Sequence, residues 1–440
     1  MKTIVRLLSL KISNLKNVKN GELKTSTNFD FMTKADIIGI YGQNGSGKTA
    51  MVESFNLLHT LLDNKELPKV KEFLIYFGEK KLTLEYEFLV TNNLGEYYLK
   101  YKVVCINGKE RLLVNSEELF YKKNTERTAY KRFISINKKV GAFGNSTEYI
   151  KKEDKIAIKG AIEVFPEDKS YIFSDKLFKS YAKFLTKEQT ALFNNLTKDF
   201  FNNFHVISGF QNGIVLANMI MPIDIIEEES TTNILYELDR SNLMKKDKYK
   251  YLEKTIIEIN EVLCVLIPNL KIEINKIGSE TLNDGEEGIR YELLSEKNKL
   301  KLPLRCESSG VLKLISILSS LIAVNNDPNT LVIIDELDSS IFEVLLGHII
   351  SAINQNGKGQ LIFTSHNLRI LEVLKSKQLF FTTTNEDKRF IKLKNVNATN
   401  NIRDMYIRAL QLGGQSQELY DYKDESDIKR AFASVELLDD

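Results

Sequence analysis

The chain has 440 residues, 43% of them hydrophobic and 27% charged, with a formal net charge of +2. That length supports a large core and two or three lobes, and the near-balanced charge makes no global electrostatic demand for nucleic acid. Cys105, Cys264 and Cys306 stand far apart with no C-x-x-C pair, which speaks against a disulfide framework or a zinc site and fits a reducing cytoplasm.

The N-terminus, Met1 to Arg6, lacks the unbroken apolar region of a signal peptide. The longest apolar stretch, Val311 to Val324, is broken by Lys313 and several serines and is too short to span a bilayer. A cytoplasmic protein without a membrane partner is expected. Ile4–Ile12 reads as a strand, and Phe29–Ile40 contains a second one. The latter feeds Gly42-Gln43-Asn44-Gly45-Ser46-Gly47-Lys48-Thr49, after which Ala50 opens a helix reaching about Leu62. In this spacing the glycines let backbone N–H groups curl around phosphate oxygens, and the helix N-terminus adds partial positive charge. Lys48 can reach the β- and γ-phosphates and the Thr49 hydroxyl can ligate Mg²⁺. A Gly/Ser surface turn is the bland alternative, disfavoured by the strand before and the helix after.

Leu82–Val90, Glu96–Ile106 and Arg111–Tyr121 are β-rich segments separated by Asn92-Asn93 and Asn107-Gly108, which predicts an antiparallel meander. Residues 121–140 carry seven basic residues, at 122, 123, 127, 131, 132, 138 and 139, against Glu126 alone. Tyr121, Tyr130 and Phe133 are interleaved with them. The segment is either a nucleic-acid or partner patch or, the favoured reading, the solvated face of a small β-subdomain. Residues 170–205 and 243–267 look helical, with Leu252, Ile256, Ile259, Leu263 and Leu266 at helical spacing. The acidic run Asp224 and Glu227-Glu228-Glu229 reads as a solvated loop, and a hairpin is expected from Lys271 through Asp284-Gly285 to Leu304. No internal repeat is visible.

Leu331-Val332-Ile333-Ile334-Asp335-Glu336 is an apolar strand ending in two acids. Asp335 is placed to bind Mg²⁺ and Glu336 to orient and deprotonate an attacking water. The alternative is that both acids cap a helix over Ser339–Asn356. Leu361-Ile362-Phe363-Thr364-Ser365-His366 is a second apolar strand, one helix and one strand later. A parallel sheet would bring His366 to the same edge as Asp335. His59, His205 and His348 have no such context and read as structural. Glu307-Ser308-Ser309-Gly310 opens a helix over 308–324 with ordinary N-cap chemistry, which is its bland reading.

Phosphate loop, Ser-Ser-Gly, apolar-Asp-Glu and Thr-Ser-His occur in the order and spacing of ABC-type ATPases. The chain resembles their soluble SMC/RecF-like branch, and within it the ATPases of bacterial abortive-infection, PARIS-like and overcoming-lysogenization (OLD)-like anti-phage systems. The likeness covers residues 1–62 and 300–414. Leu8–Lys19 resembles the family's opening strand and Asn-containing turn, and Asp335-Glu336-Leu337-Asp338-Ser339-Ser340 its Walker B and D-loop. Gln378-Leu379-Phe380-Phe381, Arg403, Tyr406, Ile407, Gly413 and Gly414 resemble its C-terminal pattern.

The resemblance implies an α/β fold: an ABC-type P-loop nucleotide-binding domain with an antiparallel β subdomain and an inserted helical lobe. Residues 1–165 would form its N-terminal half with the meander. Residues 166–270 would be the inserted lobe, and 271–440 the C-terminal half and extension. Gly42 to Thr49 and Ala50 would hold ATP, with Thr49 and Asp335 on Mg²⁺, and Lys48, Glu336 and His366 in catalysis. Ser308, Ser309 and Gly310 would contact ATP bound to a second copy, with Asp338 communicating across that interface, so that a head-to-tail homodimer or higher homo-oligomer is implied.

Phe342 stands where many relatives carry histidine, and no Q-loop glutamine is assignable. Zinc-hook cysteines and a long coiled coil are missing, and no TOPRIM acidic triads are evident after residue 414. Three functions follow: a defence ATPase that senses a DNA or phage-protein trigger and controls a separate effector; a RecF- or SMC-like DNA-binding ATPase of repair or recombination; and a module that binds ATP with little turnover, which the intact Glu336 disfavours.

Overall fold

The computed structural model describes residues 3–25, 33–125, 128–138, 140–143, 151–209, 219–227, 231–394, 396, 401–420 and 425–436. The N-terminal strands are β1 (Ile4–Leu15), β2 (Val18–Lys24), β3 (Asp36–Tyr41), β4 (Lys81–Asn92), β5 (Gly95–Asn107), β6 (Leu112–Lys123), β7 (Lys131–Asn137) and β8 (Val140–Phe143). The middle contributes β9 (Phe204–Ile207), β10 (Ile220–Ile226), β11 (Thr231–Glu237), β12 (Asn242–Lys245), β13 (Leu270–Thr281), β14 (Glu287–Lys297) and β15 (Leu300–Pro303). The last are β16 (Leu331–Ile334), β17 (Gln360–Thr364), β18 (Leu379–Thr382) and β19 (Phe390–Ile391).

A six-stranded sheet in the order β19-β18-β3-β17-β16-β9 forms the centre of the molecule. All its pairs are parallel except β18–β19. Its strands read as unbroken apolar runs because both faces are covered. Ile38, Ile40, Ile333 and Ile362 face the core shared with helix Lys48–Leu62 and the antiparallel sheet. Ile37, Val332, Ile334, Leu361 and Phe363 face the core shared with helices Lys246–Leu266, Ser309–Asn326 and Glu343–Asn356. The alternation is the two-residue period of a strand, here with two apolar partners instead of one.

The meander read from 82–121 is present and larger than expected. β1 and β2 join it at one side and β7 and β8 extend the other, giving a seven-stranded sheet ordered β2-β1-β4-β5-β6-β7-β8. Helix Lys48–Leu62 lies between the two sheets. Phe55 packs its ring against Tyr86 on one side and Phe204 on the other, and the Tyr86 hydroxyl donates to the Ser54 carbonyl at 2.5 Å. Burial on both sides explains why Val52, Leu57, Leu58 and Leu61 are all buried. Arg6, fully buried, ties β1 to the central sheet by donating to the carbonyls of Lys358 at 2.6 Å and Lys34 at 2.9 Å.

Two local expectations are corrected. The tail of the stretch read as helical, Phe204–Ile207, is β9, which pairs in parallel with β16. Four residues are too few for a periodicity to separate strand from helix. Asp224 lies in β10 and is buried, not in a solvated loop. Asn233 Nδ2 donates to its carboxylate at 2.7 Å, as does the Ser320 hydroxyl, and its own amide donates to Ser319 Oγ at 3.3 Å. A carboxylate with such partners tolerates burial. Glu228 and Glu229 lie outside the described residues.

Four of the seven basic residues of this segment have partners within the chain. Lys122 Nζ stands 4.6 Å and 4.7 Å from the ring centres of Tyr98 and Tyr130. Lys123 pairs with Glu188, Arg132 with Glu118 and Lys138 with Glu167. Glu126, Arg127 and Lys139 lie outside the described residues. Among the described residues one helix, Ser309–Asn326, is long and apolar enough to cross a bilayer by length and composition. It sits in the core with Leu312, Ile315, Leu318 and Leu321 buried.

Candidate functional site

The parallel register places the ends of β3, β16, β17 and β18 on one edge of the sheet, where loops and helix N-termini converge. The glycine-rich loop leaves β3 there. Gly47, at φ 97°, is the N-cap of helix Lys48–Leu62. Gly42 is required by close approach, because a Cβ there would lie 1.5 Å from Thr382 Oγ1 at the end of β18. The Ser46 hydroxyl donates to the Gln43 carbonyl at 2.6 Å and shares a 2.5 Å hydrogen bond with Thr382 Oγ1. Lys48 Nζ donates to the carbonyls of Gly42 at 2.7 Å and Gln43 at 2.9 Å.

Two distant segments brace this loop. Asn17, in the β1–β2 turn, donates through Nδ2 to the Gly45 carbonyl. Arg389 donates to the carbonyls of Thr383 at 2.7 Å and Asn17 at 2.6 Å, and its aliphatic stem closes on Gly47. The loop is therefore held from both flanks before any ligand arrives.

Asp335, 3% exposed, follows β16. Thr364 Oγ1 donates to its carboxylate at 2.6 Å and accepts from the Glu336 amide at 2.8 Å. Glu336 has a left-handed backbone, φ 49°, uncommon for a residue with a Cβ, and its side chain is exposed. The Asp338 carboxylate accepts from the His366 amide at 3.0 Å, fixing the end of β17 to the segment after β16.

Lys48, Thr49, Asp335, Glu336 and His366, residues scattered over the sequence, line one cavity of about 350 Å³. Asn44, Gly45, Gly47 and Ala50 form its floor, and Lys16 and Asn17 complete its wall. Gly42 and Gln43 face a second, smaller cavity of about 220 Å³ beside Tyr41, His366, Tyr406 and Tyr420. Burial draws the Lys48 ammonium below its ordinary pKa, against the pull of Asp335, Glu336 and Asp338. Burial, then the charge of Lys48, also lowers His366, against the same carboxylates, so its imidazole is neutral at pH 7.

Ser308, Ser309 and Gly310 do not line this cavity. Ser308 caps helix Ser309–Asn326, accepting from the Val311 amide at 3.4 Å, and Ser308 and Ser309 are exposed. Gly310 touches the segment after β16: a Cβ there would lie 2.2 Å from the Ser340 carbonyl oxygen. Gly310→Ala therefore forces backbone apart and is expected to destabilise the fold by about 1–3 kcal/mol. A lowered urea midpoint checks this, and an unchanged midpoint contradicts it.

Sequence reasoning missed Lys16, Thr382, Arg389 and Lys313, and held Thr364 only as part of the Thr-Ser-His motif. Asn17 carried a signal, the asparagine-containing turn after the first strand. Thr382, at the end of β18, carries none until its neighbouring strand is known.

A parallel sheet with a G-x-x-x-x-G-K-T loop on β3 and an Asp-Glu pair after β16, flanked by an antiparallel subdomain, defines a P-loop protein of α/β class. The model of the family described as "AAA domain, putative AbiEii toxin, Type IV TA system" matches residues 37–372, and the chain belongs to that family. No curated protein matches significantly. Among solved structures, an Smc head bound to the C-terminal winged-helix domain of ScpA is similar at 12% identity and a TM-score of 0.43, covering 88% of this chain and 97% of that one. The SMC head domain from Thermotoga maritima is similar at 12% identity and 0.37, covering 88% and 99%. RecF with ATP is similar at 13% identity and 0.36, covering 89% and 100%.

Proposed function

We propose that this chain is an ATPase of bacterial anti-phage defence, in which ATP held between two copies controls a separate effector protein. The observation that carries the proposal is the convergence of Lys48, Thr49, Asp335, Glu336 and His366 on one cavity beside a glycine loop at a helix N-terminus. The defence context is supported by the family's description, which names a toxin of a Type IV toxin–antitoxin system.

In this reading the loop amides and Lys48 hold the ATP phosphates. The donors at the cavity, one buried carboxylate from Asp335 and one hydroxyl from Thr49, suit a Mg²⁺ ion that keeps waters and shares phosphate oxygens. Such an ion supplies charge neutralisation of the phosphates. Glu336, exposed into the cavity, accepts a proton from the attacking water, and neutral His366 donates a hydrogen bond to the γ-phosphate or accepts one from that water.

Ser308, Ser309 and Gly310 stand outside the chain's own cavity at an exposed helix N-terminus, which supports their action on ATP of a second copy in a homodimer or larger homo-oligomer. Asp338, tied to His366, would carry that engagement across the interface. Closure transmits a signal only if the effector binds open and closed pairs with different affinity. Ser308→Arg is expected to abolish ATP-dependent pairing and turnover while each copy still binds ATP. Light scattering and calorimetry read the two separately, and unchanged pairing rules out the role in trans.

The experiment that tests the whole reading is capture from the native host with Glu336→Gln as bait. Co-purification of a toxic effector supports the defence role. Co-purification of DNA, with duplex-stimulated hydrolysis and steeply salt-dependent affinity, supports instead the RecF- or SMC-like alternative. Recovery of neither overturns the effector assignment.

A further inference from the structure

Among the described residues, Lys313 is the one lysine whose side chain ends among Asp335, Glu336 and Asp338 without lining the cavity. It has no solvent exposure and projects from the second turn of helix Ser309–Asn326. Its ammonium donates to the Glu336 carbonyl and to the Ser339 hydroxyl. Burial draws its pKa down to about 8, against Asp338, Glu336 and Asp335. Apolar packing would fill this space at lower desolvation cost, so stability alone does not account for a charge here.

What the charge holds is the segment from Glu336 to Ser340. Both of those residues have left-handed backbones, φ 49° and φ 62°, so the segment needs outside support. One helix touches it at both ends: Gly310 against the Ser340 carbonyl, Lys313 on the Glu336 carbonyl and Ser339. The Glu336 backbone is thereby pinned on both sides of its Cα. Its amide is fixed to the cavity through Thr364, which also holds Asp335, and its carbonyl is fixed to the helix through Lys313. The same helix begins at exposed Ser308.

We infer that Lys313 is a positioning residue that couples the Ser308 end of its helix to the carboxylate of Glu336, so that engagement by a second copy sets the geometry of hydrolysis. This inference rests on the ATPase reading above. A displacement of the N-terminal end of this helix moves Lys313, and through it the Glu336 carbonyl, while Thr364 holds the Glu336 amide. The carboxylate reorients relative to the cavity. Misplacement of a reacting group by about 1 Å costs on the order of 10²-fold in rate.

The test uses the full chain with ATP and Mg²⁺. Lys313→Met is expected to lower kcat by about 10- to 100-fold, with KM for ATP within about twofold and ATP-dependent pairing retained. Lys313→Arg is expected to recover part of the rate. In single-turnover measurements, adding Lys313→Met to Glu336→Gln is expected to cost nothing further, because both act through one carboxylate. A normal kcat for Lys313→Met, or losses that multiply in the double variant, overturns the coupling. If Lys313→Met does not fold, Ser339→Ala removes one acceptor while keeping the lysine. Its kcat is expected to fall several-fold at constant KM, and a full rate overturns the inference. A Glu336→Gln protein that hydrolyses at the normal rate sinks the underlying base assignment; a slow Glu336→Gln beside a normal Lys313→Met sinks the coupling alone.

Discussion

Glu336→Gln is expected to slow steady-state ATP hydrolysis by about 10²- to 10⁴-fold and to leave ATP bound in a stable pair. The substitution keeps shape and removes only the ability to take a proton from water. The backbone around it is held independently of the side chain, by Thr364 on the amide and Lys313 on the carbonyl. Geometry should therefore survive the change. Phosphate release measures the rate, and light scattering with ATP measures the pair. A normal rate removes Glu336 from the role of base and returns the Asp-Glu pair to a structural reading.

Lys48→Ala is expected to weaken ATP binding by about 10- to 100-fold or more, because a charge-assisted hydrogen bond contributes about 1.5–3 kcal/mol. The loss has two parts. The ammonium faces the cavity as its deepest positive charge, and it also spans the loop by bonding the carbonyls of Gly42 and Gln43. Alanine removes both, so the loop loses internal order as well as a phosphate contact. Calorimetry with ATP checks the affinity. Tight binding by the variant would falsify the phosphate-loop assignment, whatever the hydrolysis rate.

The local half of the site is legible in the amino-acid sequence. Lys48 and Thr49 follow a strand and open a helix within one contiguous motif, so covalent adjacency alone places them together. The apolar runs before Asp335 and His366 are equally readable, since a strand buried on both faces needs no alternation to be seen. Charge is a poorer guide. Asp224 reads as solvated because nothing in its own segment offers a partner; Asn233 is nine residues on, and Ser319 and Ser320 come from a helix almost a hundred residues later. The lysines of 121–140 leave a partner patch open beside the favoured reading of a solvated β face, since Glu188 and Glu167, which pair with Lys123 and Lys138, are distant in sequence.

By itself the sequence determined the order of the motifs and the class of sheet, because each depends on neighbours within a few positions. Only the tertiary structure decided that β16 lies between β9 and β17, that β3 lies between β17 and β18, and that Thr364, Thr382, Arg389 and Lys313 therefore close around the loop and the two acids. Those contacts depend on strand order and register, which are settled by the packing of two apolar faces against separate cores. A hydrogen bond between residues hundreds of positions apart has no local signature, since its geometry exists only once both faces of the sheet are buried.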